Sequence, residues 1–201
     1  MDGIREKKAA LRQDVLARRD AMGEAERARA SLAIADRIDA ELVFAPGTII
    51  SGFLPIRSEL DPRPLMTRLS ARGARLCVPA ITGGELQFRE FLPDVPLEPQ
   101  GFGTFAPGIG AAVLDPEIML VPMSAFDARC HRIGYGRGYY DRVIETLNGK
   151  GRAPLLAGLA FAVQEVPEVP IEAHDVGLDF IATELAVYRA ERKPRGAAPK
   201  T

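Results

Sequence analysis

An α/β fold, with a mostly parallel sheet flanked by helices, is what this sequence predicts, and three observations predict it. Apolar runs of strand length alternate with segments of helical period, most clearly over residues 46–81, which read strand, helix, strand. The chain has 201 residues and is 47% apolar, enough to bury a sizeable core. It shows no internal repeat, so a single domain over 1–188 is expected, followed by a small, basic, proline-containing tail, 189–201, expected to be disordered.

The first forty residues read as two helices. In the first, Ile4, Leu11, Val15 and Met22 recur near 3.6-residue spacing and share a face. Lys8 falls on the same side, one turn after Ile4, and Arg12 follows it by one turn. Either the two cations lean inward toward a bound anion, or they snorkel to solvent along a surface helix. The run PGTIISGFLPI is the first buried-type strand, and in DPRPLMTRLSARG Asp61 is expected as helix N-cap, Pro62 at the first helical position and Gly73 at the far end. ARLCVPAI returns as a strand and completes a βαβ unit, which implies parallel pairing. GGELQFREFLPD reads as a shorter, less buried strand, and EPQGFGTFAPG as a loop lying against the body. EIMLVPMSAFD is the next core strand, YYDRVIETLNGKG a helix, and APLLAGLAFAV and LDFIATELAVY one strand each.

Formal net charge is −1, so no global field recruits nucleic acid. No apolar run approaches the roughly 20 residues needed to span a bilayer. The N-terminal segment is too polar for a secretory signal, and Asp2, Glu6, Asp14 and Asp20 argue against a transit peptide. A cytoplasmic, monomeric protein with no nucleic-acid or membrane partner is the expectation. Cys77 and Cys130 form no metal-binding spacing with His131 or His174. Cys77 reads as core, and Cys130 as either filler or a mildly reactive thiol.

Chemistry concentrates in RIGYGRGYYDR, residues 132–142. Gly134, Gly136 and Gly138 let the backbone approach a ligand closely, and the helix that starts after them offers its first amides to an anion. The spacing is neither a Walker A loop nor a dinucleotide fingerprint. Arg132 and Arg137 flank the loop as candidate phosphate partners, whereas Arg142, inside the helix, reads as a structural ion-pair partner. Asp141 either complements the helix dipole or binds magnesium, for which Asp175 or Glu59 is the candidate second acid. Tyr139 and Tyr140 either line a ligand pocket or are buried beneath the loop; His131 is either exposed or assists proton transfer, and His174 is either exposed or orients Asp175.

The ordered series KKAALR, FLPIRSELD, LCVPAI, FGTFAP, AFDARCHRIGYGRGYYDR and GLAFAVQ…AHDVGLDFIATE resembles the 5-formyltetrahydrofolate cyclo-ligase family over roughly residues 5–185. That resemblance implies the fold shared with ribose-5-phosphate isomerase and CoA transferases. It also implies ATP- and magnesium-dependent conversion of 5-formyltetrahydrofolate, polyglutamylated or not, into 5,10-methenyltetrahydrofolate through a phosphorylated formyl group, with ADP and phosphate released. On the family's pattern Lys8 and Arg12 contact ATP, as do Arg132, Ile133, Gly134, Tyr135, Gly136, Arg137, Gly138, Tyr139 and Tyr140. Tyr135 to Tyr139, that is Tyr135, Gly136, Arg137, Gly138 and Tyr139, also serve the folate together with Glu59, while Asp141 and Asp175 hold magnesium. Lys8, Arg12 and Arg137 are then the catalytic cations. One position departs from the pattern: Cys130 stands where a glycine is usual, so a positive φ there would require the loop to bend differently.

Overall fold

The computed structural model describes residues 2–101 and 103–191. Four helices and twelve strands follow in the order α1 (Asp2–Asp20), α2 (Glu24–Glu41), β1 (Ile49–Ser51), α3 (Arg63–Ala71), β2 (Arg75–Thr82), β3 (Glu85–Glu90), β4 (Leu97–Gly101), β5 (Thr104–Pro107), β6 (Val113–Leu114), β7 (Ile118–Pro122), β8 (Ala125–Phe126), β9 (Arg132–Ile133), α4 (Tyr139–Gly149), β10 (Leu155–Leu159), β11 (Phe180–Ala182) and β12 (Val187–Arg189). The main sheet has the order β12-β11-β10-β7-β1-β2-β3-β6. Its central block, β11-β10-β7-β1-β2, is parallel, and β12, β3 and β6 join antiparallel at the margins.

The parallel block reads as continuous apolar sequence because both its faces are covered. On one face Ile34 and Ile38 of α2 and Leu65 and Leu69 of α3 pack on Ile50, Val78, Leu120 and Leu159. On the other, Ile144 and Leu147 of α4 pack on Cys77, Met119, Val121 and Leu156. From β1 the chain crosses through α3 to β2 on one side, while β7 and β10 lie on the other. The order therefore reverses between β1 and β7, and at such a switch the loops leaving the carboxyl ends of neighbouring strands diverge and open a crevice.

Several local expectations are corrected. The strand in PGTIISGFLPI is confined to Ile49–Ser51. At Gly52 a Cβ would lie 2.5 Å from the Met66 sulfur, so any larger residue there would have to displace the buried Met66 side chain. Regular helix begins at Arg63, with Pro62 as the flanking residue, yet the Asp61 carboxylate accepts the Arg63 N–H at 3.0 Å and so still caps it. Gly73 takes φ +92° at the far end, as a helix stop requires. EPQGFGTFAPG is the β4–β5 hairpin rather than a loop. LDFIATELAVY divides into β11 and β12 because the buried Thr183 hydroxyl oxygen accepts the N–H groups of Leu185 and Ala186, folding the run back on itself. Arg189, where a tail was expected to start, closes β12; residues from 192 onward lie outside the described residues. In α1, Val15 is buried against Ala125, Ile133, Val166 and Val169, whereas Ile4 is exposed and Met22 lies past the helix end.

Candidate active site

Beyond the carboxyl ends of β1, β2 and β7 lies a cavity of about 830 Å³. Its floor is the β1 loop (Phe53, Leu54, Ile56, Arg57, Glu59) and the strand ends Pro79, Ile81 and Pro122; α1 forms one side with Arg5, Lys8 and Arg12. Residues 132–142, with Glu145 of α4, form another side, Thr104 and Phe105 of β5 a third, and Glu172, His174 and Asp175 close the rim. All residues expected at the site therefore border one space, although they come from α1, the β1 loop, the glycine loop and the segment before β11.

The glycine loop needs its glycines unequally. Gly136 (φ +88°) and Gly138 (φ +63°) occupy conformations that side chains resist, while Gly134 does not and has open space where a Cβ would be. A Cβ on Gly136 would come 3.4 Å from Arg12 Nη2. Arg12 crosses to this loop and donates from Nε to the Gly134 carbonyl at 2.7 Å. Burial draws its guanidinium down from the ordinary value. One turn earlier, Lys8 leans inward, 12% exposed, and its ammonium donates to Glu172 Oε2 at 2.9 Å and Asp175 Oδ2 at 2.5 Å. Burial alone would lower its pKa, but the two carboxylates outweigh that and the net shift is upward. The snorkelling alternative is thus excluded for Lys8.

Arg132 takes up the ion pair that was expected of Arg142, and Arg142 forms none among the described residues. Arg132, 4% exposed, donates from Nη2 to Asp141 Oδ1 at 2.7 Å and from Nη1 to the Val176 carbonyl, and it also borders the cavity. Arg142 lies over the Tyr139 ring at 5.2 Å and donates to the Arg137 carbonyl. Ile133 turns its side chain into the core beside Val15, leaving only its backbone for the cavity. Arg137 is exposed at the rim. The Tyr140 hydroxyl is buried without a hydrogen-bond partner, and burial pushes its pKa up. On the far side, Glu59 accepts the Tyr135 hydroxyl at Oε1 (2.8 Å) and the Ile56 N–H at Oε2 (3.0 Å). Burial holds its carboxyl above the usual carboxylate range against the pull of those donors and of Arg19.

Asp141 also accepts the Val176 N–H at 3.2 Å, and Val176 follows Asp175, so the two candidate magnesium acids belong to one corner of the cavity. Asp141 makes these bonds through Oδ1, and Asp175 meets Lys8 and the Glu172 N–H through Oδ2. Neither remaining oxygen takes part in those bonds, which suits a hard cation that keeps several waters and takes one or two carboxylates. Ligand atoms of Glu172, His174 and Asp175 also lie within 4.8 Å of one another. Glu172 and Arg5 carried no distinct signal in the sequence; Arg5 precedes Lys8 by three residues on the same helix face, which is the pattern that would have found it.

Two loop residues are also redefined. His131, 27% exposed, pairs through Nδ1 with Asp127 (3.4 Å). Cys130 itself takes φ +65°, so the loop keeps its course without a glycine. The turn is locked by Asp127: its carbonyl accepts the Cys130 N–H at 2.9 Å, and its Oδ1 accepts the N–H groups of Arg129 and His131. The thiol is buried, and desolvation pushes it up to about 11, so Cys130 is filler rather than a reactive group.

The sequence profile of the 5-formyltetrahydrofolate cyclo-ligase family matches residues 4–184. The chain belongs to this family. It is 29% identical to the 5-formyltetrahydrofolate cyclo-ligase of Haemophilus influenzae over 136 residues, 64% of this chain and 72% of that one. Against the cyclo-ligase of Escherichia coli K12 the identity is 27% over 146 residues, 69% and 79% of the two chains. The solution structure of Aquifex aeolicus 5,10-methenyltetrahydrofolate synthetase superposes with a TM-score of 0.76 at 28% identity, covering 96% of this chain and 99% of that one. As a cyclo-ligase family member the chain has the α/β architecture of that structure, and no helix among the described residues is long and apolar enough to cross a membrane.

Proposed function

We infer that the protein is an ATP-dependent 5-formyltetrahydrofolate cyclo-ligase, closing 5-formyltetrahydrofolate to 5,10-methenyltetrahydrofolate with release of ADP and phosphate. The observation that carries this reading is that one cavity is bordered by two unlike sets of side chains. One is the cations Lys8, Arg12 and Arg137; the other is the apolar Leu54, Ile56, Pro79, Ile81, Leu86 and Phe105, with Glu59 bound to the Ile56 N–H. The first suits a polyphosphate and the second a flat heteroaromatic ligand with N–H donors.

The chemistry explains why both are needed. A formamide oxygen is a poor leaving group, so attack of N10 on the formyl carbon stalls when that oxygen must depart. In the proposed sequence the formyl oxygen attacks the γ-phosphorus and ADP leaves. N10 then attacks the formyl carbon and gives up its proton, and the C–O bond breaks to release phosphate. No protein nucleophile takes part; the work is alignment of two ligands and neutralisation of phosphoryl charge. Lys8, Arg12 and Arg137 supply the neutralisation, with the loop amides before α4 facing the phosphates. Arg132 acts through Asp141, which it holds in place. Asp141 and Asp175 are the residues to hold a magnesium ion, whose chemistry is to spread the charge of the nucleotide phosphates. The proposed enzyme is a monomer acting in the cytoplasm.

The purified protein mixed with 5-formyltetrahydrofolate and magnesium ATP should develop the methenyl chromophore with one ADP per turnover. Binding of both ligands without product would identify a non-catalytic regulator. Failure to bind either, with isomerisation of a sugar phosphate instead, would overturn the assignment.

A further inference from the structure

Arg19, in the last turn of α1, is 1% exposed, and among the described residues no carboxylate lies within ion-pair distance of it. A guanidinium removed from water without a counter-charge is costly, so its environment must compensate. Its Nε donates to Ser58 Oγ at 3.0 Å and its Nη2 to the Tyr135 hydroxyl at 3.0 Å. Arginine can only donate. The Tyr135 oxygen therefore accepts from Arg19, and its own O–H is directed to Glu59 Oε1 at 2.8 Å. The buried charge thus reaches two carboxylates, each through one hydroxyl: Glu59 through Tyr135, and Asp20 through Ser58, whose Oγ donates to Asp20 Oδ1.

We propose that Arg19 is a positioning residue of the site, acting through Tyr135 to keep Glu59 ionised and in a single orientation for an N–H-bearing heteroaromatic ligand. The inference rests on the reading that Glu59 contacts the folate. Glu59 is pinned at both oxygens, by Tyr135 and by the Ile56 N–H, so its rotation is fixed before ligand arrives. The charged and titratable groups facing it are Arg19 from α1, Tyr135 from the glycine loop and Tyr140 from α4. Of these, Arg19 alone carries charge near neutral pH. Burial raises the Glu59 carboxyl, and Arg19 opposes the rise. Without Arg19, Glu59 protonates at a higher pH and turns from acceptor to donor toward the ligand.

The test is the pH profile of kcat/KM for 5-formyltetrahydrofolate at saturating ATP, in wild type, Arg19→Met, Arg19→Lys, Tyr135→Phe and Glu59→Gln. Arg19→Met should move the acidic limb upward by about one pH unit, the effect of removing one nearby opposite charge. It should also raise KM for the folate about tenfold while KM for ATP stays within twofold. Arg19→Lys, which keeps the charge, should restore most of the limb. Tyr135→Phe removes both the path from Arg19 and the direct donor to Glu59, so it should shift the limb in the same direction and at least as far. If Arg19→Met does not fold, Arg19→Lys decides, since it keeps the charge but not the guanidinium fork; a limb left at the wild-type pH with an unchanged folate KM would overturn the positioning role. Glu59→Gln separates the two layers. If it alters neither folate KM nor the limb, the role of Glu59 in folate binding is wrong. If it abolishes the limb while Arg19→Lys, and Arg19→Met where folded, leave both the limb and the folate KM in place, Arg19 is only structural.

Discussion

Lys8→Ala is the most direct probe of the cationic set. The ammonium is 12% exposed and held by two carboxylates at 2.9 and 2.5 Å, so it is already desolvated and aimed into the cavity. A hydrogen bond to a charged partner contributes about 1.5–3 kcal/mol. A phosphate must draw Lys8 away from Glu172 and Asp175, which offsets part of that gain and points to the lower half of the range. A loss of about 1.5–2 kcal/mol corresponds to a rise in KM for ATP of about 10–30-fold. The folate KM should stay within about twofold, because Glu59 and the apolar set are untouched. Initial rates of methenyl absorbance, with each substrate varied while the other saturates, separate the two constants. Equal increases in both would mean that Lys8 only tethers α1 to the 172–175 segment. An unchanged KM for ATP would refute the inward-facing cation outright.

Three further outcomes are expected. Asp141→Asn leaves the buried Arg132 guanidinium without its counter-charge; because Asp141 is 25% exposed, the cost should be about 2 kcal/mol rather than the value for a fully buried pair, a fall in Tm of about 4–8 °C by calorimetry, with a weakened magnesium dependence of rate. Asp127 is fully buried; burial opposes its ionisation, but the N–H groups of Val169 and His131 and the Arg129 side chain hold its folded pKa below the unfolded one. Its contribution to stability is therefore complete above about pH 4 and lost as pH falls through the folded value, so urea unfolding of Asp127→Asn should vary less with pH below 4 than that of wild type. Cys130→Gly should be more stable than Cys130→Ala by about 1 kcal/mol, because both lose the sulfur and only glycine relieves the φ +65° backbone; equal midpoints in urea would show that the turn relaxes instead.

The sequence carried the architecture where one physical signal dominated. Continuous apolar runs marked β2, β7 and β10 because strands covered on both faces admit no polar alternation, and the βαβ unit fixed the pairing of β1 with β2. It missed the β4–β5 hairpin and the break between β11 and β12, since glycines, prolines and a single threonine hydroxyl decide those turns and none alters the hydrophobic pattern.

At the site, residue type, motif and the family resemblance singled out the loop glycines and tyrosines, Lys8, Arg12, Glu59 and the two aspartates, and these border one cavity. Which arginine forms the ion pair was decided only in three dimensions. The helical position pointed to Arg142, yet it is Arg132 that pairs with Asp141, while Arg142 lies over Tyr139. Arg19 shows the same dependence more sharply, because nothing near it in sequence reveals that α1 brings it against Ser58 and Tyr135. Local sequence sets propensity and chemistry, but the partner of a charge comes from a distant segment, and for a desolvated charge the partner determines what it does.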